Sequence, residues 1–287
     1  MKVILSIVNF NTWDLTSQCL RSIFEKQWKN NLEVWVVDNA STDNSPSKIK
    51  EQFPGVKLIT NKTNLGFGRG HNQVLEKAMG EYYFIINSDC KIEDGVFDEM
   101  VLFMDKNPQT HISSCKILDF DSQLQPNAGD LPVGLALISW LFNLDFFESS
   151  FHITDPKYYQ KPKEVGWVSG NFMCLRGNNL KFDKDFFMYF EDAELCYRVK
   201  KAGFKVMINP YTSIKHLSGG SLDNPKYRQW LGEYKGLYIF YKKHFGNLIA
   251  IFIKFLSYLS ILLRIFAFAL LGKIRYSYIY GKIITEI

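Results

Sequence analysis

LEVWVVDNASTDNS, residues 32–45, decides the fold. Its first seven residues, LEVWVVD (32–38), form an apolar run of strand length. A run that is apolar on successive residues suits a strand covered on both faces, as in a parallel sheet. The run stops at Asp38, and Asp38-Asn39-Ala40-Ser41-Thr42-Asp43 follows as a short polar turn before helical spacing resumes. A lone carboxylate at such a strand end accepts the imide N–H of uracil or thymine, and short polar side chains bond ribose hydroxyls. The same residues also suit an Asx-turn capping the next helix, with Asp43 or Ser45 as the cap.

The same grammar repeats on both sides. VILSIVNF (3–10), VKLIT (56–60) and YYFIIN (82–87) read as strands. LTSQCLRSIFEKQ (15–27), SPSKIKEQF (45–53) and GRGHNQVLEKAM (68–79) have helical spacing. The order β-α-β-α-β-α-β predicts an α/β fold: an open doubly wound, mostly parallel mixed sheet with helices on both faces. Ligands in such sheets sit beyond the carboxyl ends of the strands. Asn9, Asp38, Asn61 to Asn64 and Asn87 to Asp89 all fall there.

The chain has 287 residues and 47% hydrophobic content, enough for one large domain with an appendage and far too apolar for a disordered chain. Five cysteines, at 19, 90, 115, 174 and 196, make no CxxC pair. That excludes a thiolate zinc module and argues for a reducing compartment. MKVILSIVNFNTWD reads as a first strand, not a signal peptide.

After residue 90 the pattern loosens. ISSCKIL (112–118) and SQLQPNAG (122–129) read as edge strands, 130–163 as a mobile apolar loop, and VGWVSGNFMCLRG (165–177) as a strand pair. EDAELCYRVKKAG (191–203) predicts a helix stopped by Gly203, and KVMINP (205–210) a short strand. The expected division is 1–90 and 91–223 as two halves of one domain, then 224–287 as a separate helical segment.

That segment is a different material. Lys226 to Ile287 holds ten Lys/Arg and two Glu, whereas residues 1–225 carry a net charge of −3. LIAIFIKFLSYLSILLRIFAFALL (248–271) is long enough to span a bilayer, yet carries Lys254 and Arg264. On a helix Lys254, Ser257, Tyr258, Ser260 and Arg264 share one arc opposite a wide apolar face. The expectation is a helix lying in a membrane interface, with Lys242, Lys243, Lys273 and Arg275 toward anionic head groups. A span and an ordinary buried helix are the alternatives. Nucleic acid is not expected as a partner, because it would waste the apolar face; oligomerisation stays open.

Three further segments carry chemistry. Asn87-Ser88-Asp89 at a strand end suits a hard divalent cation that completes its shell with phosphate oxygens, or a simple turn. Asn64-Leu65-Gly66-Phe67-Gly68-Arg69-Gly70-His71-Asn72 opens a helix, where phosphate binds well, but it matches neither a P-loop nor the dinucleotide fingerprint. FMYFEDAEL (187–195) sets Glu191 and Asp192 in a first helical turn, as dipole partners or as a general base. His216 in SIKHLSGGS is a further ligand candidate.

Taken in order, VNFN, VVDNASTDNS, NLGFGRGHNQ, INSDC, WVSGNFMCLRG, FFMYFEDAELCYRVKKAG and KHLSGGS resemble the family 2 inverting glycosyltransferases of GT-A fold, most nearly the bacterial rhamnosyltransferase-like branch, over about residues 1–220. The resemblance implies that Asn9 and Asn11 line the nucleoside pocket with Asp38 and Asn39. Asn64, Gly66, Phe67 and Arg69 would close over the nucleotide. Asn87 and Ser88 stand in the DXD element, with Asn in place of its first Asp, so Asp89 would be the main ligand of Mg²⁺ or Mn²⁺, with His216 adding to it. Asp192, beside Glu191, matches the catalytic base, and Trp167, Ser169, Gly170 and Asn171 the sugar and acceptor pocket. The implied donor is a dTDP- or UDP-linked sugar and the acceptor a glycan or polyprenyl-diphosphate-linked saccharide. The implied place is the cytoplasmic face of the plasma membrane, peripheral or monotopic. Two rivals remain. A degenerate, non-catalytic glycan-binding domain conflicts with the intact ED pair. A sugar-phosphate nucleotidylyltransferase needs a Gly-rich basic loop after the first strand, where VNFNTWD has none.

Overall fold

A computed structural model describes residues 1–144, 150–217 and 225–287. The first half alternates as expected: β1 (Lys2–Asn9), α1 (Trp13–Phe24), β2 (Asn31–Asp38), α2 (Ser45–Gln52), β3 (Lys57–Thr60), α3 (Phe67–Lys77) and β4 (Tyr82–Asn87). Then follow β5 (Cys90–Lys91), α4 (Val96–Lys106), β6 (Thr110–Leu118), β7 (Leu124–Gln125), β8 (Ala128–Gly129) and α5 (Gly134–Phe142). After a short 3₁₀ turn come β9 (Lys163–Glu164), β10 (Trp167–Val168), β11 (Phe172–Arg176), α6 (Glu191–Lys201) and β12 (Lys205–His216). The chain ends with α7 (Pro225–Phe245), α8 (Asn247–Leu270) and α9 (Ile274–Ile283).

The main sheet runs β3-β2-β1-β4-β11-β6-β12-β5. Its first four strands are parallel, and β11 enters antiparallel to both β4 and β6. Along β1 the side chains alternate faces: Val3, Leu5 and Ile7 pack with α1, α2 and α4, whereas Ile4 joins α3 and α6. Both faces are therefore dry, which is why β1, β2 and β4 read as unbroken apolar runs.

Four expectations need correction. ISSCKIL is no edge strand; β6 lies between β11 and β12. Strand order is set by pairing with partners far along the chain, which a local run does not encode. SQLQPNAG forms only the two-residue β7 and β8. KVMINP does not stop at Pro210: β12 shifts register between Asn209 and Ser213 and continues to His216. Proline cannot donate to the ladder, so the strand bulges there and resumes. Finally, 130–163 is not loop throughout. GLALISWLF forms α5, apolar nearly all round and so without a readable period, and buries Leu137 and Leu141, with Phe151 and Tyr159 beside them. Residues 145–149 of that stretch, and the expected boundary at 223, lie outside the described residues.

The helix of EDAELCYRVKKAG forms as expected, and Gly203 follows it at φ +86°. α8 is amphipathic, as expected, but its polar arc faces inward. Ser257 and Ser260 are buried, and Arg264 donates to Trp140 O, Leu141 O, Asn143 Oδ1 and Tyr280 Oη at 2.7–3.1 Å. Leu248, Phe252, Phe255, Leu262 and Phe266 on the other face are more than half exposed. Lys243 is exposed and also paired within the protein: its Nζ lies 2.6 Å from Asp183 and 2.5 Å from Asp185.

Candidate active site

The polar ends of β1 and β2 clasp each other, and Asn61 after β3 joins them through Asn39. Asn9 is fully buried, and its amide donates to Asp38 Oδ2 at 2.6 Å and to Ser41 Oγ at 3.0 Å. Its Oδ1 accepts from Thr12 and Thr16. Asp38 accepts Ser41 N–H on Oδ1. Asn9 thus braces Asp38 from behind. Asn11 holds the far end of the same turn, accepting Thr42 N–H at 2.7 Å. Asn39 is buried and donates to Gly66 O, while its Oδ1 accepts from Asn61.

Gly66 opens α3 at φ +85°, and a Cβ there would lie 2.2 Å from Phe187 O. Asn64 Oδ1 accepts Gly66 N–H, and Phe67 N–H donates to the same Phe187 carbonyl. Only glycine fits so close an approach at this φ. Arg69 is exposed and donates to Lys184 O. The NLGFGR segment is therefore docked onto 184–187, directly before the ED pair.

Met188-Tyr189-Phe190 enters α6 in an unusual conformation. Tyr189 and Phe190 take φ +70° and +75°, strained for aromatic side chains. α7 holds them there. A Cβ on Gly232 would lie 2.4 Å from the Tyr189 ring, and one on Gly236 2.4 Å from Phe190 Cβ. Glu191 and Asp192 follow. Asp192 Oδ2 accepts Gly170 N–H at 2.9 Å, and Oδ1 its neighbour Ala193 N–H at 2.8 Å. Glu191 is buried, and its Oε2 has no partner. Burial pushes both carboxyls up, and the charge of Asp192 pushes Glu191 further. Asp192 accepts the Gly170 and Ala193 N–H groups, which offset part of its burial.

The β10–β11 turn joins this pair to the end of β4. Gly170 binds Asp192, and Asn171 Oδ1 accepts from Asn87 Nδ2 at 2.9 Å while Asn171 O accepts Asn87 N–H. Ser169 Oγ accepts Asn171 N–H, and Ser88 Oγ accepts from Thr12. Trp167 is buried and donates to Phe151 O.

Asp89 and His216 meet because β12 runs long: His216 pairs with Cys90, and Leu217 N–H donates to Asp89 O. His216 Nε2 lies 3.2 Å from Asp89 Oδ1, and both residues are buried. That oxygen finds no hydrogen-bond donor. A buried carboxylate facing an imidazole nitrogen suits a divalent cation whose remaining positions are filled by diphosphate and water. Among the described residues no third carboxylate, imidazole or thiol joins them.

The sequence reading missed Gln125, which holds His216, and Glu233 of α7. Glu233 is buried, accepts from Gln229 at 2.9 Å and lies 3.9 Å from His152 Nε2. Burial first, then the charge of Asp192, pushes it up to about 7. Neither residue lies in a polar motif; only the tertiary fold brings them to the site.

Residues 5–162 match the family model described as glycosyl transferase family 2. N-acetylglucosaminyl-diphospho-decaprenol L-rhamnosyltransferase of Mycobacterium tuberculosis is 24% identical over 229 residues, covering 73% of this chain and 74% of that protein. In fold the chain resembles S. aureus TarS 1–349, with TM-score 0.56, 15% identity and 90% and 70% of the two chains covered. It also resembles the mannosyltransferase PcManGT of Pyrobaculum calidifontis, solved with GDP-Man and Mn²⁺, with TM-score 0.57, 15% identity and 98% and 84% covered.

Proposed function

The chain belongs to glycosyl transferase family 2, and from that premise we propose that it moves a sugar from a dTDP- or UDP-linked donor to a hydroxyl of a lipid-linked or cell-surface glycan, with inversion, at a membrane surface. The observation that carries this reading is the Ser169–Gly170–Asn171 turn, which binds Asp192 on one side and Asn87 on the other. It holds a carboxylate beside the strand end where a donor diphosphate belongs.

Asp192 takes the proton from the acceptor hydroxyl as that oxygen attacks the anomeric carbon. Glu191 keeps its own proton, because two adjacent buried carboxylates do not both ionise readily. Asp38, braced by Asn9, faces the nucleoside, and the Gly66 turn closes over it. Asp89 and His216 would hold Mg²⁺ or Mn²⁺, which neutralises charge on the leaving diphosphate. No enzymic nucleophile is needed for a single displacement.

Membrane attachment is supported by α8. A helix on a soluble surface turns its apolar face inward. This one hides Ser257, Ser260 and Arg264 against the protein and exposes a leucine and phenylalanine face. Such a patch marks an interaction with another apolar phase, and the decaprenol-linked substrate in the relative's name makes the bilayer its natural partner. We place the protein on the cytoplasmic face, where nucleotide sugars and free thiols both belong.

The test is calorimetric titration with dTDP, UDP and GDP, each with Mn²⁺ and with EDTA. Metal-dependent binding of one pyrimidine diphosphate is the expected result. Failure of a folded sample to bind any of the three overturns the transferase reading in favour of a degenerate binding domain.

A further inference from the structure

Gln125 occupies a two-residue strand, β7, that pairs with β6 through Ile117, far along the chain from either Asp89 or His216. Its amide makes two contacts with one residue. Nε2 donates to the His216 carbonyl at 2.9 Å, which turns Oε1 onto His216 Nδ1, also at 2.9 Å. An amide oxygen only accepts, so Nδ1 carries a proton, and with the ring in its neutral form Nε2 presents a lone pair. That lone pair faces Asp89 Oδ1 at 3.2 Å, an oxygen without a donor. Two acceptors held face to face in a buried site call for a positive charge between them, a proton on Nε2 or a metal cation that displaces it. Neighbouring positions on an octahedron of about 2.1 Å bonds are about 3 Å apart, close to the separation here.

We propose that Gln125 is a positioning residue for the cation site, fixing the orientation and tautomer of His216 so that Nε2 is presented beside Asp89. This rests on the reading that Asp89 and His216 hold the metal. Outer partners of ligating histidines orient the ring and raise its basicity. Gln125 does both from a strand that enters the site through pairing alone.

The test is titration of the full-length protein with MnCl₂ in the presence of UDP, read by calorimetry and by the electron paramagnetic resonance of bound Mn²⁺. Gln125→Leu should weaken Mn²⁺ about 10–100-fold while the unfolding midpoint stays near wild type, because Gln125 is only half-buried. Gln125→Glu keeps an acceptor on Nδ1–H and should bind Mn²⁺ at least as tightly as wild type. Asp89→Asn tests the underlying reading and should abolish metal binding. If Asp89→Asn loses Mn²⁺ while Gln125→Leu stays within twofold of wild type, the role of Gln125 falls and the metal reading stands. If Asp89→Asn binds Mn²⁺ normally, both fall. Should Gln125→Leu not fold, Gln125→Glu decides alone, and weaker binding in that variant overturns the proposal.

Discussion

The strands β1 to β4 and the helix α8 place their polar residues by opposite rules. In β1 to β4 the polar groups gather at strand ends and bond to one another across adjacent parallel strands, as Asn9 does to Asp38 and Asn39 to Asn61. In α8 the polar groups Ser257, Ser260 and Arg264 are turned inward, leaving an apolar face to the outside, whereas α7 buries Tyr234, Leu237, Phe240 and Tyr241 and exposes Arg228, Lys235 and Lys242. The first rule builds a ligand site at a sheet edge. The second leaves an exposed apolar surface with a rigid backing. α7 links the two regions, since Gly232 and Gly236 press on Tyr189 and Phe190 just before the ED pair. The C-terminal segment is thus one wall of the entrance to the proposed active site.

The sharpest way to break that comparison is at Asp192. Asp192→Asn should lower transfer by about 10²–10⁴-fold and leave nucleotide affinity unchanged, measured by steady-state kinetics beside calorimetry. Glu191→Gln should cost far less. If Glu191→Gln is dead and Asp192→Asn turns over normally, the entrance presents the other carboxylate.

The surface side is tested by Phe255→Ser with Phe266→Ser. Both rings are more than half exposed, so folding should be little affected. Each buried phenylalanine is worth about 1.5–3 kcal/mol. Binding to vesicles of mixed neutral and anionic lipid, measured by sedimentation, should fall about 10²-fold or more. Unchanged binding would mean that the exposed face serves another copy of the chain.

How much of this was legible follows the same division. The parallel core, the Gly66 turn and the ED helix were readable because each is encoded within one run of about ten residues. Asp38 and Asp89 were placed at strand ends by the apolar run that stops there. Gln125 and Glu233 were not readable, because nothing near either residue signals the site; pairing of β7 and packing of α7 bring them in. His216 was readable as a candidate ligand but not as a strand residue beside Asp89, since Pro210 ended the strand reading six residues early. The orientation of α8 was not readable either. Periodicity shows that a helix has two faces, not which one meets the protein.

A smaller effect sharpens the role of α7. Glu233 is pushed up to about 7 in the folded protein, from an ordinary 4.5, chiefly by burial. A raised carboxyl contributes its full stability below its unfolded value and loses it as pH rises toward the folded value. Wild type should therefore lose about 3 kcal/mol through this group between pH 4.5 and pH 7, in addition to what Glu191 and Asp192 lose. Glu233→Gln removes that component. The gap in unfolding free energy between variant and wild type should move in favour of the variant between pH 5 and pH 8. A gap independent of pH would show that Glu233 ionises freely, and that α7 leaves the cleft open to water there.

The smallest effect distinguishes a lysine that grips protein from one that grips lipid. Lys243 lies within 2.6 Å of Asp183 and 2.5 Å of Asp185, with its own side chain 30% exposed. Partly exposed pairs of this kind contribute about 0–1 kcal/mol and weaken with salt. Lys243→Ala should lower stability within that range at low salt and by less at 1 M NaCl, followed by denaturant titration. Its binding to anionic vesicles should match wild type. Lys242→Ala, one residue earlier and likewise exposed, should instead weaken vesicle binding by about 1 kcal/mol. If the two variants exchange behaviour, Lys243 leaves its aspartates when the bilayer is present. The 183–185 stretch that docks Arg69 would then loosen on membrane contact, and the exposed apolar face and the nucleotide turn would be coupled through a single side chain.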